Sequence, residues 1–297
     1  MPGALRIGSS ISARTSYVAN RYLRDIRVTI GDDVAIQELY QRFKIRKEST
    51  GTPAEGIIDI YNLSEENETH IKERGKPITL EAGYADSGLE HVFSGTIRRV
   101  ERQRLDLDRV TRIHVGGELS VKAVSDTRAR AVFIKSYEGE VTARTIASDA
   151  IQTLGLTVGS LDAIPEDAVE VDFRFSGDAR IFLNEFLRPY GLHWYIENGE
   201  VKLSAYRKPA DDRPVGVTVS EGTGMIGTPT ITDDGVRIKT LLDPRLSLGS
   251  TVQVQSDVLG SQEGELHNSS WKVIELTHAG DNREGTFETV VEGRPLG

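Results

Sequence analysis

The chain has 297 residues, 38% of them hydrophobic, which suits two or three domains with a sizeable core and excludes wholesale disorder. It contains no cysteine, so disulfide staples, thiolate metal sites and thiol nucleophiles are excluded. A formal charge of −9 repels a polyanion and argues against a generic nucleic-acid binder, while no apolar run approaches the roughly 18 to 20 residues that cross a bilayer and residues 1–16 lack the apolar stretch of a signal peptide.

Charge is uneven: residues 1–50 carry a net +4, which leaves −13 for the remainder. Residues 1–21, rich in Gly, Ser and Ala with no sustained period, read as an arm ordered only by something it docks against. From Tyr22 the signal changes, and alternating polarity over residues 23–30, 41–47, 56–61, 78–84, 91–100 and 110–115 predicts antiparallel strands. Within residues 56–61 the inward pair is Ile58 and Ile60, with Ile57 and Tyr61 on the other face, so this strand is covered on part of both faces. One short, mostly polar helix interrupts the run. Ser64 is its N-cap, Glu65 and Glu66 suit the positive end of its dipole, and Lys72 and Arg74 suit the negative end before Gly75. Leu63 and Ile71 are its expected contacts, with the helix plugging or flanking a sheet.

Between about residues 124 and 208 the period shifts toward helix. Residues 142–155 place Ile146, Ala147, Ala150, Ile151 and Leu154 on one stripe, with Thr142 as cap and Gly155 at the left-handed stop. A second helix over about 178–190 is expected to put Ile181, Phe182, Phe186 and Leu187 on one side, ended by Pro189 and Gly191. Residues 192–196 and 201–205 then alternate around Asn198-Gly199, a pair suited to a type I′ hairpin turn. The expectation is a compact two-helix plus hairpin module, followed by a linker over 208–214. Strands return over 215–220, 236–241, 251–256, 271–278 and 286–292.

Catalytic motifs fail when tested. His70, His91, His114, His193, His267 and His278 show no HExxH and no paired ligand spacing, so structural or surface roles are expected for them. Gly222-Thr-Gly224-Met-Ile-Gly227 spells GxGxxG, but a dinucleotide site needs a helix opening there, and the β-like residues 228–232 follow instead. A Gly-rich connector is the reading. Neither a GxSxG elbow nor a Walker A sequence occurs. The pairs Asp32-Asp33, Asp211-Asp212 and Asp233-Asp234 read as turn residues. Arg98, Arg99, Arg102 and Arg104, followed by Asp106, Asp108 and Arg109, read as a solvated or subunit-bridging charged strand, because no aromatic residues interleave with the arginines. No catalytic, cofactor-binding or metal-ligating residue is assigned and no cofactor is expected. A carboxylate pair acting on glycan leaves no fixed spacing in sequence, so a peptidoglycan or glycan hydrolase is the alternative reading. A carbohydrate-binding module ranks behind it, because Trp194 and Trp271, the two tryptophans, sit in alternation that implies burial.

The order of segments carries more than any single motif. Phe43-Lys-Ile-Arg-Lys47, a loop, residues 57–64 with a capped helix, then residues 78–84 and 92–97 resemble the opening barrel of tail-tube-like baseplate hub proteins of bacteriophages. Residues 242–250, 271–278 and 286–292 are similar to the second barrel of the same family, and the resemblance spans residue 22 to the C-terminus.

The resemblance implies a mainly β fold of two tail-tube-like barrels bracketing a small α/β insert: an arm over 1–21, barrels over 22–125 and 209–297, and the insert over 126–208. It implies a structural, non-enzymatic hub in the virion's tail baseplate, assembled in the host cytoplasm. Its homotrimeric ring would adapt a sixfold tail tube to a threefold spike. The implied partners are further copies of the chain, the tail tube protein or tube initiator, the central spike, and the tape measure and other baseplate proteins. DNA would be met only in passage through the lumen, and no membrane is involved. Peptidoglycan-cleaving domains occur in some hubs, but no segment of the roughly 100 residues one needs is left over here. Net negative charge suggests a bore lined by carboxylates, with Asp106, Asp108 and Glu101 as candidates.

Overall fold

The alternation in the first third of the chain becomes seven strands, β1 (Arg24–Ile30), β2 (Val34–Ile36), β3 (Gln41–Glu48), β4 (Glu55–Tyr61), β5 (Pro77–Tyr84), β6 (Gly88–Leu105) and β7 (Asp108–Gly116), with α1 (Glu65–Ile71) between β4 and β5. This is a computed structural model and describes residues 23–31, 34–49, 51–71, 75–117, 131–197, 200–206, 216–233, 235–256 and 268–296. The arm, the 208–214 linker, the Asn198-Gly199 turn, Lys72 and Arg74 lie outside the described residues.

Ile58 and Ile60 of β4 are fully buried and Tyr61 nearly so, while Ile57 on the other face is 37% exposed. Ser64 Oγ accepts the Asn67 N–H and caps α1, whose flanking Leu63 and Ile71 sink into the core beside β4. Asn62 follows β4 at φ +53°, and its side chain spans to β7, accepting the Arg109 N–H at 3.0 Å and donating to Asp108 at 2.8 Å.

The last stretch supplies β15 (Val217–Ser220), β16 (Thr230–Thr232), β17 (Gly235–Leu241), β18 (Thr251–Gln255), β19 (Asn268–Asp281) and β20 (Phe287–Pro295). These join the first seven in one 13-stranded sheet, ordered β16-β17-β20-β19-β3-β4-β7-β6-β5-β1-β2, with β18 also on β19 and β15 parallel to β18. The seam is the antiparallel ladder between β3 and β19, from Arg42↔Asp281 to Glu48↔Glu275. A bulge between Val273 and Glu275 separates the part of β19 that serves β18 from the part that serves β3. At the start of β3, the buried Gln41 amide donates to the carbonyls of Ile26, Ile36 and Gln37, tying β3 to the β1–β2 edge, to which no backbone ladder joins it among the described residues.

Between these stretches lie β8 (Val132–Ser136), β9 (Glu140–Thr142), α2 (Ala143–Thr153), β10 (Thr157–Val158), β11 (Val169–Val171), β12 (Arg174–Asp178), α3 (Ala179–Leu187), β13 (Leu192–Glu197) and β14 (Glu200–Ala205). Thr142 Oγ1 accepts the Thr145 N–H to cap α2, and Gly155 takes φ +70° beyond its end. The two helices and the β13–β14 hairpin occur as read. The module also has an irregular ribbon, β8 with β12 and β9 with β11, and a parallel β10–β14 pair, none of which the sequence reading included. One placement is corrected. Ile181 is 56% exposed, because α3 starts at Ala179 and turns Ala179, Phe182, Leu183 and Leu187 inward, leaving Ile181 on the opposite side of the helix.

Among the described residues, buried apolar side chains form three clusters: one under β1–β7, one within the α/β module and one under β15–β20. The clusters trade members. Leu242 and Phe287 of the last stretch enter the first cluster, and Tyr195 of the module enters the third.

Candidate functional site

Strand partners lie side by side, so the face of the sheet that points away from the cores can be followed row by row. Gln41, Phe43 and Ile45 of β3 point inward, and Arg42, Lys44 and Arg46 point outward. Opposite Arg42 stands Asp59 of β4, and opposite Asp59 stands Arg112 of β7. Asp59 accepts from Arg112 Nε and Nη2 at 2.7 and 2.9 Å and from Arg42 Nη2 at 3.4 Å. The bidentate contact to Asp59, opposed by burial, holds the Arg112 guanidinium still more firmly protonated than usual. Glu101 of β6 pairs with Arg99 and faces His114 at 3.5 Å. Arg46 reaches Glu275 across the seam at 2.8 Å and Glu48 on its own strand at 2.9 Å, and farther along Lys239 meets Glu288 at 2.8 Å and Arg237 meets Glu292 at 3.9 Å. Exposed pairs of this kind contribute roughly 0 to 1 kcal/mol each, so the ladder shapes surface charge more than stability.

One end of this face is closed by aromatic rings. Tyr40 stacks on Tyr61 with centroids 4.2 Å apart, and Arg42 and Arg283 lie 5.1 Å from the Tyr61 and Tyr40 rings respectively. Tyr40 donates its hydroxyl to Asp281 at 2.8 Å, and burial together with this bond pushes the phenol up to about 12.

At the other end the α/β module sits over β19. Lys272 is fully buried and donates to Ser204 Oγ at 2.6 Å and to the Ala205 carbonyl, with His193 Nε2 at 3.5 Å. Burial, then the Arg294 charge, lowers the Lys272 ammonium to about 7; burial, then Lys272, lowers His193 to about 3. His193 is therefore neutral near neutral pH. Nearby, Gly51 holds φ +69°, and a Cβ there would stand 2.4 Å from the Trp194 ring, so the β3–β4 loop and the module meet at van der Waals contact.

The residues weighed from sequence fall in separate places. Arg99 and Arg102 engage Glu101 and Glu68, Arg98 donates to the Gly117 carbonyl, and Arg109 faces Glu65 at 3.5 Å, so these four arginines are spent on carboxylates and backbone. Asp106 and Asp108 lie at the exposed tip of the β6–β7 hairpin beside Leu107, which is 93% exposed, while Glu101 lies on the charged ladder. Gly222–Gly227 crosses from β15 toward β16 with Gly224 and Gly227 left-handed, and a strand follows. Asp233 occupies a turn; Asp32, Asp33, Asp211, Asp212 and Asp234 lie outside the described residues, as does His267. His91 meets Ser94 at 2.7 Å, and the buried His278 meets Thr289 at 2.9 Å, burial lowering its pKa well below the usual histidine value. Trp194 and Trp271 are both buried. Among the described residues no three His, Asp or Glu side chains are grouped to hold a metal ion, and no helix is long and apolar enough to cross a membrane.

Sequence reasoning missed Lys272 and the cross-strand ladder. The signal for the ladder was present as charge at every second position of Arg42-Phe-Lys-Ile-Arg46 and as the isolated Asp59 in an isoleucine-rich strand.

A strand-built scaffold in which the buried acids among the described residues are engaged by partners, and whose outer face is a charged ladder, has the features of a structural protein. The Baseplate hub gp41 family matches residues 25–293, and the chain belongs to that family, which places it in the tail baseplate of a phage virion. Comparison with curated protein sequences gives no match. Among solved structures, the 43 kDa tail protein of prophage MuSo2 from Shewanella oneidensis superposes with a TM-score of 0.60 at 9% identity, covering 92% of this chain and 98% of that one. A tail protein from Neisseria meningitidis MC58 gives 0.59 at 12%, covering 92% and 97%. The Escherichia coli c3393 protein, a type VI secretion component described as similar to T4 tail proteins gp27 and gp5, gives 0.57 at 13%, covering 91% and 77%. At these identities the likenesses show a shared fold.

Proposed function

We propose that the chain is an architectural baseplate hub that acts as a homotrimeric ring, joining the sixfold tail tube to a threefold spike. In this reading residues 22–125 and 209–297 are two tail-tube-like barrel domains, 126–208 is the α/β insert between them, and 1–21 is an arm that clamps a neighbouring component. Three copies then present six similar walls to the tube. The partners are further copies of the chain, the tail tube protein or tube initiator, the spike, and the tape measure and other baseplate proteins, with assembly in the host cytoplasm. DNA passes through the lumen and no membrane is involved.

The observation that carries this reading is the β3–β19 ladder, which makes the two strand-rich stretches one uninterrupted wall. Such a wall ends in strand edges at β16 and β2 that a neighbouring copy can cover. The role proposed is non-enzymatic. The buried acids Asp59, Glu68, Asp243 and Asp281 are engaged by Arg112, Arg102, Arg245 and Tyr40, so no observation favours the glycan-hydrolase alternative. The test is oligomer mass with electron microscopy of the purified protein. A threefold ring with a channel wide enough for duplex DNA is expected; a stable monomer that forms no ring would overturn the proposal.

A further inference from the structure

The outward ladder is balanced. Its acids Glu48, Asp59, Glu101, Glu275, Glu288 and Glu292 are each within ion-pair distance of a base, and the bases they hold are Arg46, Arg42, Arg112, Arg99, Lys239 and Arg237. Lys44 and Glu55, one of each sign, also stand on these rows, as does Asp281, whose carboxylate accepts from the Tyr40 hydroxyl. The six acid and six basic groups of the paired ladder therefore sum to zero, although the chain carries −9. The excess acids lie elsewhere.

We propose that this face is a non-adhesive surface for duplex DNA, made so by self-neutralisation instead of by net negative charge. The proposal rests on the reading of the chain as a hub whose continuous sheet faces a DNA channel. Binding to DNA is driven by basic groups that replace the counterions of phosphates. Here each of the six bases already holds a carboxylate from its own or a neighbouring strand, several in hydrogen bonds of 2.7 to 2.9 Å. A phosphate would have to displace that carboxylate and gains little by doing so. A face with excess acid would instead repel the duplex, at a cost that changes with salt. The paired ladder does neither, so passage is insensitive to ionic strength.

The experiment measures retention of a short mixed-sequence DNA duplex by the purified full-length protein across a salt series, with ring formation scored separately by electron microscopy. The wild-type protein is expected to retain no DNA. Glu48→Gln, Asp59→Asn, Glu101→Gln and Glu275→Gln together free Arg42, Arg46, Arg99 and Arg112, and four free guanidinium groups give retention that falls about 100-fold between about 50 and 200 mM salt. A milder variant, Glu48→Gln with Glu275→Gln and Glu288→Gln, frees only Arg46 and Lys239, leaves the buried Asp59 in place, and is expected to show retention with about half that log–log slope. Salt-dependent retention by the wild type, or variants that hold DNA no better than it does, would overturn the proposal. If no ring forms, the channel reading fails on its own, and the contrast between wild type and variants still decides the chemistry of the face.

Discussion

The two outer stretches are joined to each other quite differently from the way the α/β module is joined to them. Between the outer stretches runs a backbone ladder, from Arg42↔Asp281 to Glu48↔Glu275, and apolar side chains cross it: Phe287 of β20 packs edge-on against Tyr84 of β5 at 5.2 Å, inside the first cluster. The module is attached through a buried ammonium on Ser204 and Ala205, through Tyr195, and through the Gly51–Trp194 contact. A ladder backed by apolar packing makes two stretches one body. A junction centred on one desolvated charge holds position, and desolvation offsets much of what its hydrogen bonds contribute. The comparison teaches that separate hydrophobic clusters do not imply separable walls.

Four measurements test how differently the seam and the module junction are held. The largest effect is expected at the seam, where Phe287→Ala should lower stability by about 3–5 kcal/mol in chemical denaturation of the purified protein. A cost below about 1 kcal/mol would mean that the seam is not packed as described. At the module junction, Lys272 gives a pH signature. Below about pH 7 the ammonium is protonated in both states, and above about 10.5 it is neutral in both. Between these values only the unfolded chain keeps the proton, so stability rises with pH, by at most about 1.4 kcal/mol per unit. Lys272→Met should flatten that rise, as read from unfolding midpoints across the window. Gly51→Ala, which puts a methyl group into Trp194 at a left-handed position, should cost about 1–3 kcal/mol and perturb tryptophan fluorescence. Ile181→Ser should change stability by less than about 0.5 kcal/mol, because that side chain faces water; a larger loss would restore it to the core.

Much of the strand content was legible because alternation is a local signal: β3, β4, β5 and β7 occur where residues 41–47, 56–61, 78–84 and 110–115 alternate. The Thr142 and Ser64 caps were legible for the same reason, since a cap and its N–H are three residues apart. Strand partners leave no such trace. Arg42 and Asp281 are neighbours in space and far apart in sequence, so neither the seam nor the Arg46–Glu275 pair could be read from either segment alone. The burial of Lys272 was hidden in another way, because the bulge after Val273 shifts the alternation of β19 and the side chains that cover Lys272 come from β13 and β14. The ribbon of β8, β9, β11 and β12 escaped because each strand is five residues or fewer, too short for a period to show. Ile181 was misplaced because it adjoins Phe182 in sequence, whereas the stripe is fixed by Ala179, where α3 begins.

The Gln41 amide sets a dimension. It bridges a gap between β3 and the β1–β2 edge that backbone bonding leaves unzipped, and a carboxamide has a fixed reach. Were that fastening slack, each copy could splay by its own amount. Around a closed circumference such deviations accumulate from copy to copy, so in the proposed ring the tolerance on bore diameter would be governed in part by one side chain of each subunit, well away from the opening itself.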